Sequence, residues 1–222
     1  MADLSTRLGV AHKALETLEE VAFPVNRPVA FFDFDGTLTT RDSLLPFLSF
    51  VRGPQLFLDL LTTGPAFFGY AAGMLARDQV KEALLRHTLA GLPYPQLAAY
   101  GECFAQEKIP LLLRPDTLSK LREHQRQGHL CVLVSASLEV YLKPWAKTVG
   151  FGFCLATRLE TDANGRVTGR FSGRNCRGEE KVRRIQQLIA RLGKPQKTYA
   201  YGDSPGDRAM LDFVEEAIWV KR

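Results

Sequence analysis

Two pairs of acids fall where apolar runs stop. Asp33 and Asp35 lie in Asp33-Phe34-Asp35-Gly36-Thr37 at the end of the run Val29–Phe34, and Asp203 and Asp207 lie in Tyr201-Gly202-Asp203-Ser204-Pro205-Gly206-Asp207 after Thr198–Tyr201. The period of two in a strand sends Asp33 and Asp35 toward the same side. Two carboxylates crowded on an apolar strand repel each other, and a bound cation removes that cost. An all-oxygen donor set of this kind suits Mg²⁺. Taken singly, Asp203 or Ser204 would serve as a helix cap and Asp35 as a turn residue; two acidic strand ends in one sheet favour the metal. Gly36 lets the chain turn sharply, and Thr37 offers a hydroxyl to an anion. Ser135, in Leu133-Val134-Ser135-Ala136-Ser137, follows the run Leu130–Val134. A hydroxyl followed by backbone amides at a helix start suits a phosphate oxygen, and equally an ordinary cap. Lys181 stands near a helix start and matters only if the fold turns it toward the other three stations.

The elements that must position these residues follow from periodicity. Val29–Phe34, Leu130–Val134, Thr198–Tyr201 and Ala217–Val220 read as short buried strands. Helical patterns separate them at Asp116–Gln127, Leu138–Thr148, Glu179–Leu192 and Pro205–Phe213. Alternation of this kind predicts an α/β fold, a parallel sheet covered on both faces, with ligands at the carboxyl ends of its strands. Leu155–Gly173, with Ala163-Asn164-Gly165 at its middle, predicts a hairpin. Residues 42–115 break the alternation and read as a helical insertion after the first strand. Within it, Leu56–Ala76 holds one charged residue, Asp59, and is long enough to span a bilayer as a single helix. Gly64-Pro65 interrupts it, which predicts two short buried helices. The alternative is an apolar face that meets a membrane or a lipid substrate. Met1–Val25 carries Leu4, Leu8, Ala11, Leu15, Leu18 and Val21 at helical spacing, an amphipathic helix rather than a signal peptide.

Composition narrows the function classes. With 222 residues, 45% of them hydrophobic, and a net charge of +5, the chain has the makings of a packed core and not of disorder. Its four cysteines form no C-x-x-C pair, which excludes a disulfide scaffold and predicts reduced thiols in the cytoplasm. The four histidines lack zinc spacing. The basic balance suits an anionic substrate or peripheral membrane contact; no groove-reading module supports nucleic acid. Gly150-Phe151-Gly152 lacks the third glycine of a dinucleotide fingerprint.

Taken together, Asp33-Phe34-Asp35-Gly36-Thr37, the strand-end Ser135, Lys181 and Gly202-Asp203-Ser204-Pro205-Gly206-Asp207 resemble the haloacid dehalogenase-like (HAD) superfamily of phosphohydrolases. The helical insertion and Ala156–Gly173 resemble the branch that includes phosphoserine phosphatase (subfamily IB). The resemblance implies a Rossmann-like core over 27–41 and 116–222, a helical cap over 42–115, and an N-terminal helix, 1–26, packed on the core. It implies Asp33 as nucleophile and Asp35 as general acid and base. Thr37, Ser135 and Ala136 would hold the phosphoryl group and Lys181 would neutralise it. Mg²⁺ would be held by Asp33, Asp203 and the Asp35 carbonyl, with Asp207 orienting Lys181 or a metal-bound water. Asp42 and Arg86 fall near substrate-contacting positions of the cap, with Arg41 and Arg77 as rivals to Arg86. Gly36, Ala136 and Gly206 depart from the phosphoserine phosphatase pattern. With the apolar cap, these departures resemble phosphatases of phosphatidylglycerophosphate and related compounds.

Charge arithmetic fits those roles. A carboxylate approaching a phosphate dianion at about 4 Å meets roughly 8 kcal/mol of repulsion at an effective dielectric of about 20, which a cation and an ammonium offset. The expected activity is Mg²⁺-dependent hydrolysis of a small phosphorylated substrate. A lipid phosphatase, a phosphotransferase and a non-catalytic phosphate- or membrane-binding module are the alternatives.

Overall fold

The structure is a computed structural model that describes residues 26–62, 64, 73 and 76–221. The helix expected over 1–26 therefore lies, apart from Asn26, outside the described residues. Five strands form one parallel sheet: β1 (Val29–Phe32), β2 (Leu130–Leu138), β3 (Phe153–Thr157), β6 (Thr198–Gly202) and β7 (Glu216–Trp219), in the order β3-β2-β1-β6-β7. Strand order reverses around β1, so the crevice at its carboxyl end opens between β2 and β6. The continuous apolar runs are explained by burial on both faces. Ala30 and Phe32 of β1 join Cys131 and Leu133 of β2 in one core cluster, while Val29 and Phe31 join Leu130, Val132 and Val134 in another.

Helices close each face. On the first lie α5 (Pro115–Arg126) and α6 (Glu139–Thr148), which contribute Leu121, Tyr141, Leu142 and Trp145. On the second lie α7 (Glu179–Leu192) and α8 (Arg208–Phe213), which contribute Ile185, Leu188, Met210 and Leu211. The helical pattern expected from Pro205 begins as a 3₁₀ turn, Pro205–Asp207, before α8. β3 is an edge strand that the sequence reading had joined to the hairpin. Its Phe153, Cys154 and Leu155 are only half-buried, so it lacks the signature of a central strand. The hairpin proper is β4 (Leu159–Thr161) against β5 (Val167–Phe171), antiparallel.

Between β1 and β2 the chain is helical: α1 (Leu44–Arg52), a 3₁₀ turn Gly53–Gln55, α2 (Leu56–Thr62), α3 (Arg77–Leu89), α4 (Tyr94–Glu107) and a 3₁₀ turn Ile109–Leu112. The hairpin hydrogen-bonds to the α3–α4 loop, Gly91 N to Val167 O at 2.8 Å and Val167 N to Leu92 O at 2.9 Å. Phe47 of α1 packs on Phe104 of α4 and Tyr141 of α6, tying this layer to the sheet. The expected burial of α2 fails: Phe57, Leu58 and Leu61 are 68%, 62% and 61% exposed. The second helix expected within Leu56–Ala76 lies largely outside the described residues. Leu44–Leu61 has the length and apolarity of a membrane span, with a mean hydropathy of 1.3. It is broken at Gly53-Pro54 and carries an Arg52–Asp59 ion pair of 2.7 Å.

The approach of α4 to the first turn of α6, just beyond β2, is too close for a side chain. A Cβ on Gly101 would run into the Val140 carbonyl. Gly101→Ala should cost about 1–3 kcal/mol by overpacking. A thermal melt checks this: a lowered Tm is expected, and an unchanged one contradicts the close crossing.

Candidate active site

β1 stops at Phe32, and Asp33 continues its register for one residue, its amide donating to Tyr201 O at 2.9 Å. Asp33 has the parity of Val29 and Phe31, which face α7. On α7, Lys181 shares the buried stripe of Ile185 and Leu188. That stripe brings a fully buried ammonium to the strand ends. Lys181 Nζ donates to Asp33 Oδ1 at 2.5 Å, Asp207 Oδ1 at 2.6 Å and Val134 O at 2.7 Å, which uses all three of its protons. Burial alone would lower the Lys181 pKa, but Asp33 and Asp207 raise it, so the ammonium stays charged. Burial pushes Asp33 up to about 7 against the pull of Lys181, with Asp207 and Asp35 pushing the same way. For Asp207 burial also acts upward, yet Lys181 and Ser204 hold it below the usual carboxylate range.

Asp35 does not follow the strand parity expected for it. Beyond Phe32 the chain turns, with Leu38 N donating to Phe34 O at 2.8 Å. The Asp35 carboxylate faces another set of partners: Ser43 N donates to Oδ1 at 2.9 Å, and the Ser137 hydroxyl donates to Oδ2. Burial raises Asp35 to about 6, the charge of Asp42 adds to the rise, and the serine hydrogen bonds oppose it. A carboxyl poised there can give a proton and take one back near neutral pH.

The turn after β1 meets the turn after β6. Gly36 has φ 83°, and a Cβ on it would collide with the Asp203 carboxylate. Thr37 donates its hydroxyl to Asp203 Oδ1 at 3.1 Å. Carboxylate oxygens of Asp33, Asp203 and Asp207 lie within 4.8 Å of one another. Asp207 is already committed through Lys181 on Oδ1 and Ser204 on Oδ2. This hard, oxygen-only set fits Mg²⁺, and Asp33 and Asp203 could hold it through their side chains.

Ser135 and Ala136 lie within β2, which runs longer than expected. Ser135 Oγ accepts Ser137 N at 3.1 Å and keeps its own proton to donate. Asp42 is exposed, accepts Leu44 N at 2.8 Å, and lies close enough to raise Asp35. Arg86 is not brought to this cluster. It is exposed, its backbone lies against Gly169 of β5, and its side chain makes no hydrogen bond or ion pair among the described residues. Arg41 and Arg77 are exposed too. The cation that the helical layer does send inward is Lys81, which sequence reasoning missed. Its Nζ donates to Ala136 O at 2.7 Å and Asn175 Oδ1 at 3.4 Å. Ser43, Ser137 and Asn175 were missed as well. Ser137 had a signal in its alternation with Ser135, and Lys81 in its three-residue spacing from Asp78; Asn175 had none.

A family model described as haloacid dehalogenase-like hydrolase matches residues 30–212. Protein CicA of Caulobacter vibrioides is 36% identical over 185 residues, which covers 83% of this chain and 82% of that protein. A crystal structure of a protein of unknown function from Bordetella pertussis Tohama I aligns with a TM-score of 0.76 and 30% identity, covering 87% of this chain and 90% of that one. A phosphoserine phosphatase in a phospho-aspartyl intermediate analogue form shares the fold, with a TM-score of 0.57 and 18% identity over 84% of this chain and 83% of that one.

Metal binding should be visible without turnover. Mg²⁺ at about 100 times its Kd should stabilise the folded protein by about 2.7 kcal/mol, read as a raised Tm. Asp203→Asn should lose most of that shift. A shift of the same size in Asp203→Asn would contradict the assignment.

Proposed function

The chain belongs to the haloacid dehalogenase-like hydrolase family, and from that premise we propose that it is a Mg²⁺-dependent phosphomonoesterase working through a covalent phosphoryl group on Asp33. The observation that carries this reading is the Lys181 ammonium held between Asp33 and Asp207, all three fully or nearly buried at the crevice of the sheet. A structural ion pair needs one carboxylate; three acids around one lysine leave excess negative charge, which calls for a cation before a phosphate can approach.

The roles follow from the contacts. Asp33 attacks the phosphorus, and the bond from phosphorus to the ester oxygen breaks. Lys181 keeps positive charge against the Asp33 carboxylate as the phosphoryl group arrives, while Ser135 donates its hydroxyl to a phosphoryl oxygen and the main chain at Ala136 borders the same pocket. Thr37 orients Asp203. Asp35, in its protonated form, gives its proton to the departing oxygen; as the carboxylate it then takes one from the water that attacks the phosphorus and frees Asp33. Asp33, Asp203 and the Asp35 carbonyl would hold Mg²⁺, which would supply Lewis-acid charge against phosphate–carboxylate repulsion. Asp207 fixes Lys181 and the Ser204 turn.

The substrate we favour is a small phosphorylated metabolite such as phosphoserine, acted on in the cytoplasm, where free thiols persist. The four cysteines are free. One observation supports a second reading, a lipid phosphate: the exposed Phe57, Leu58 and Leu61 on α2 would suit acyl chains or a membrane surface.

The test is Mg²⁺-dependent phosphate release from phosphoserine, sugar phosphates and a phosphatidylglycerophosphate-type lipid, with Asp33→Asn as the control. Turnover of at least one is expected, falling by roughly 10³-fold or more in Asp33→Asn. Preference for the lipid selects the second reading. Full hydrolysis by Asp33→Asn would sink the covalent mechanism.

A further inference from the structure

Two residues of α3 one helical turn apart, Asp78 and Lys81, reach across to the sheet side of the crevice. Asp78 Oδ1 accepts Asn175 Nδ2 at 2.7 Å, and Asn175 Oδ1 in turn accepts Thr157 Oγ1 at 2.8 Å. Lys81 Nζ lies 5.4 Å from the centre of the Phe171 ring, which steadies its stem, and donates to the Ala136 carbonyl at 2.7 Å. Ala136 is flanked by the two serines that matter: Ser137 N donates to Ser135 Oγ at 3.1 Å, and the Ser137 hydroxyl holds the Asp35 carboxylate. The path from the helical layer to Asp35 is thus two hydrogen bonds, Lys81 to Ala136 O and Ser137 to Asp35, joined by the Ala136–Ser137 peptide.

We infer that Lys81 is a positioning residue for the proton transfer: by fixing the Ala136 carbonyl from the helical layer, it sets the Ser137 hydroxyl that aims Asp35 at the leaving oxygen. This rests on the phosphatase reading above and deepens it. Seated as it is, the helical layer holds the Ser135–Ser137 segment through Lys81 and so aligns Asp35. In the step concerned, the bond from phosphorus to the ester oxygen breaks, the electron pair stays on that oxygen, and the Asp35 proton moves to it.

Leaving groups separate this role from a general loss of structure or of phosphate binding. p-Nitrophenyl phosphate and benzyl phosphate both carry one aromatic ring, but only the alkoxide of the second needs a proton as it departs. With Mg²⁺-loaded protein, Lys81→Met should lose kcat on benzyl phosphate by at least about tenfold more than on p-nitrophenyl phosphate, within the range that general acids contribute. Lys81→Arg, which keeps a donor for the Ala136 carbonyl, should recover most of the benzyl phosphate turnover. Equal losses on the two esters would overturn the inference while leaving the phosphatase reading intact. A defect that appears in KM alone would overturn it too, since Lys81 would then be binding substrate directly. A wild-type protein that hydrolyses neither these esters nor any of the substrates tested above would remove both readings.

Discussion

Everything at the crevice depends on keeping one buried ammonium charged. Lys181 has lost its water, and three acceptors replace it: Asp33, Asp207 and the Val134 carbonyl. Removing one partner from a buried pair leaves an uncompensated charge, a cost of about 3–5 kcal/mol. The fold is arranged around that requirement. β1 ends alongside β2, which runs on past it and sets Val134 beside Asp33, α7 crosses the same face to deliver Lys181, and the turn after β6 returns Asp207. Asp207 holds Lys181 with one oxygen while the Ser204 turn occupies the other. Strand ends, helix stripe and turn are each local features, and the ion cluster makes them one site.

The same arrangement separates the two acids of the first motif. Asp33 lies against Lys181 on the α7 side; Asp35 lies against Ser43 and Ser137 on the side of the helical layer. Burial raises both, but their partners differ in kind. An ammonium faces Asp33, whereas neutral hydroxyl and amide donors face Asp35, and each set opposes the rise that burial causes. Two carboxylates two residues apart thereby acquire different chemistry, and the division arises because the strand ends between them.

The parts of this that were legible in the sequence are the parts fixed by local pattern. Continuous apolar runs ending in acids located β1 and β6, and the stripe Lys181, Ile185, Leu188 lay in a helix whose bounds, Glu179–Leu192, coincide with those expected. The edge strand β3 was hidden because half-burial gives Phe153–Thr157 no clean period. Asp35 departed from strand parity because the turn after Phe32 depends on Gly36 and its close approach to Asp203, a tertiary contact. Among the cations of the helical layer, arginines near a motif position drew notice. Lys81 was chosen instead by helix phase and by Asn175 across the crevice, which no local signal announced. The exposed apolar side chains of α2 show the converse: apolar composition there did not mean burial.

The central claim is that phosphoryl transfer passes through Asp33. A single-turnover reaction quenched with acid and reduced with borohydride tests it directly, because an acyl phosphate is reduced to an alcohol and an aspartate is not. The account predicts homoserine at position 33, found by peptide mass spectrometry in the presence of substrate and Mg²⁺ and missing without them. Phosphate released at the normal rate with Asp33 unchanged throughout would contradict it.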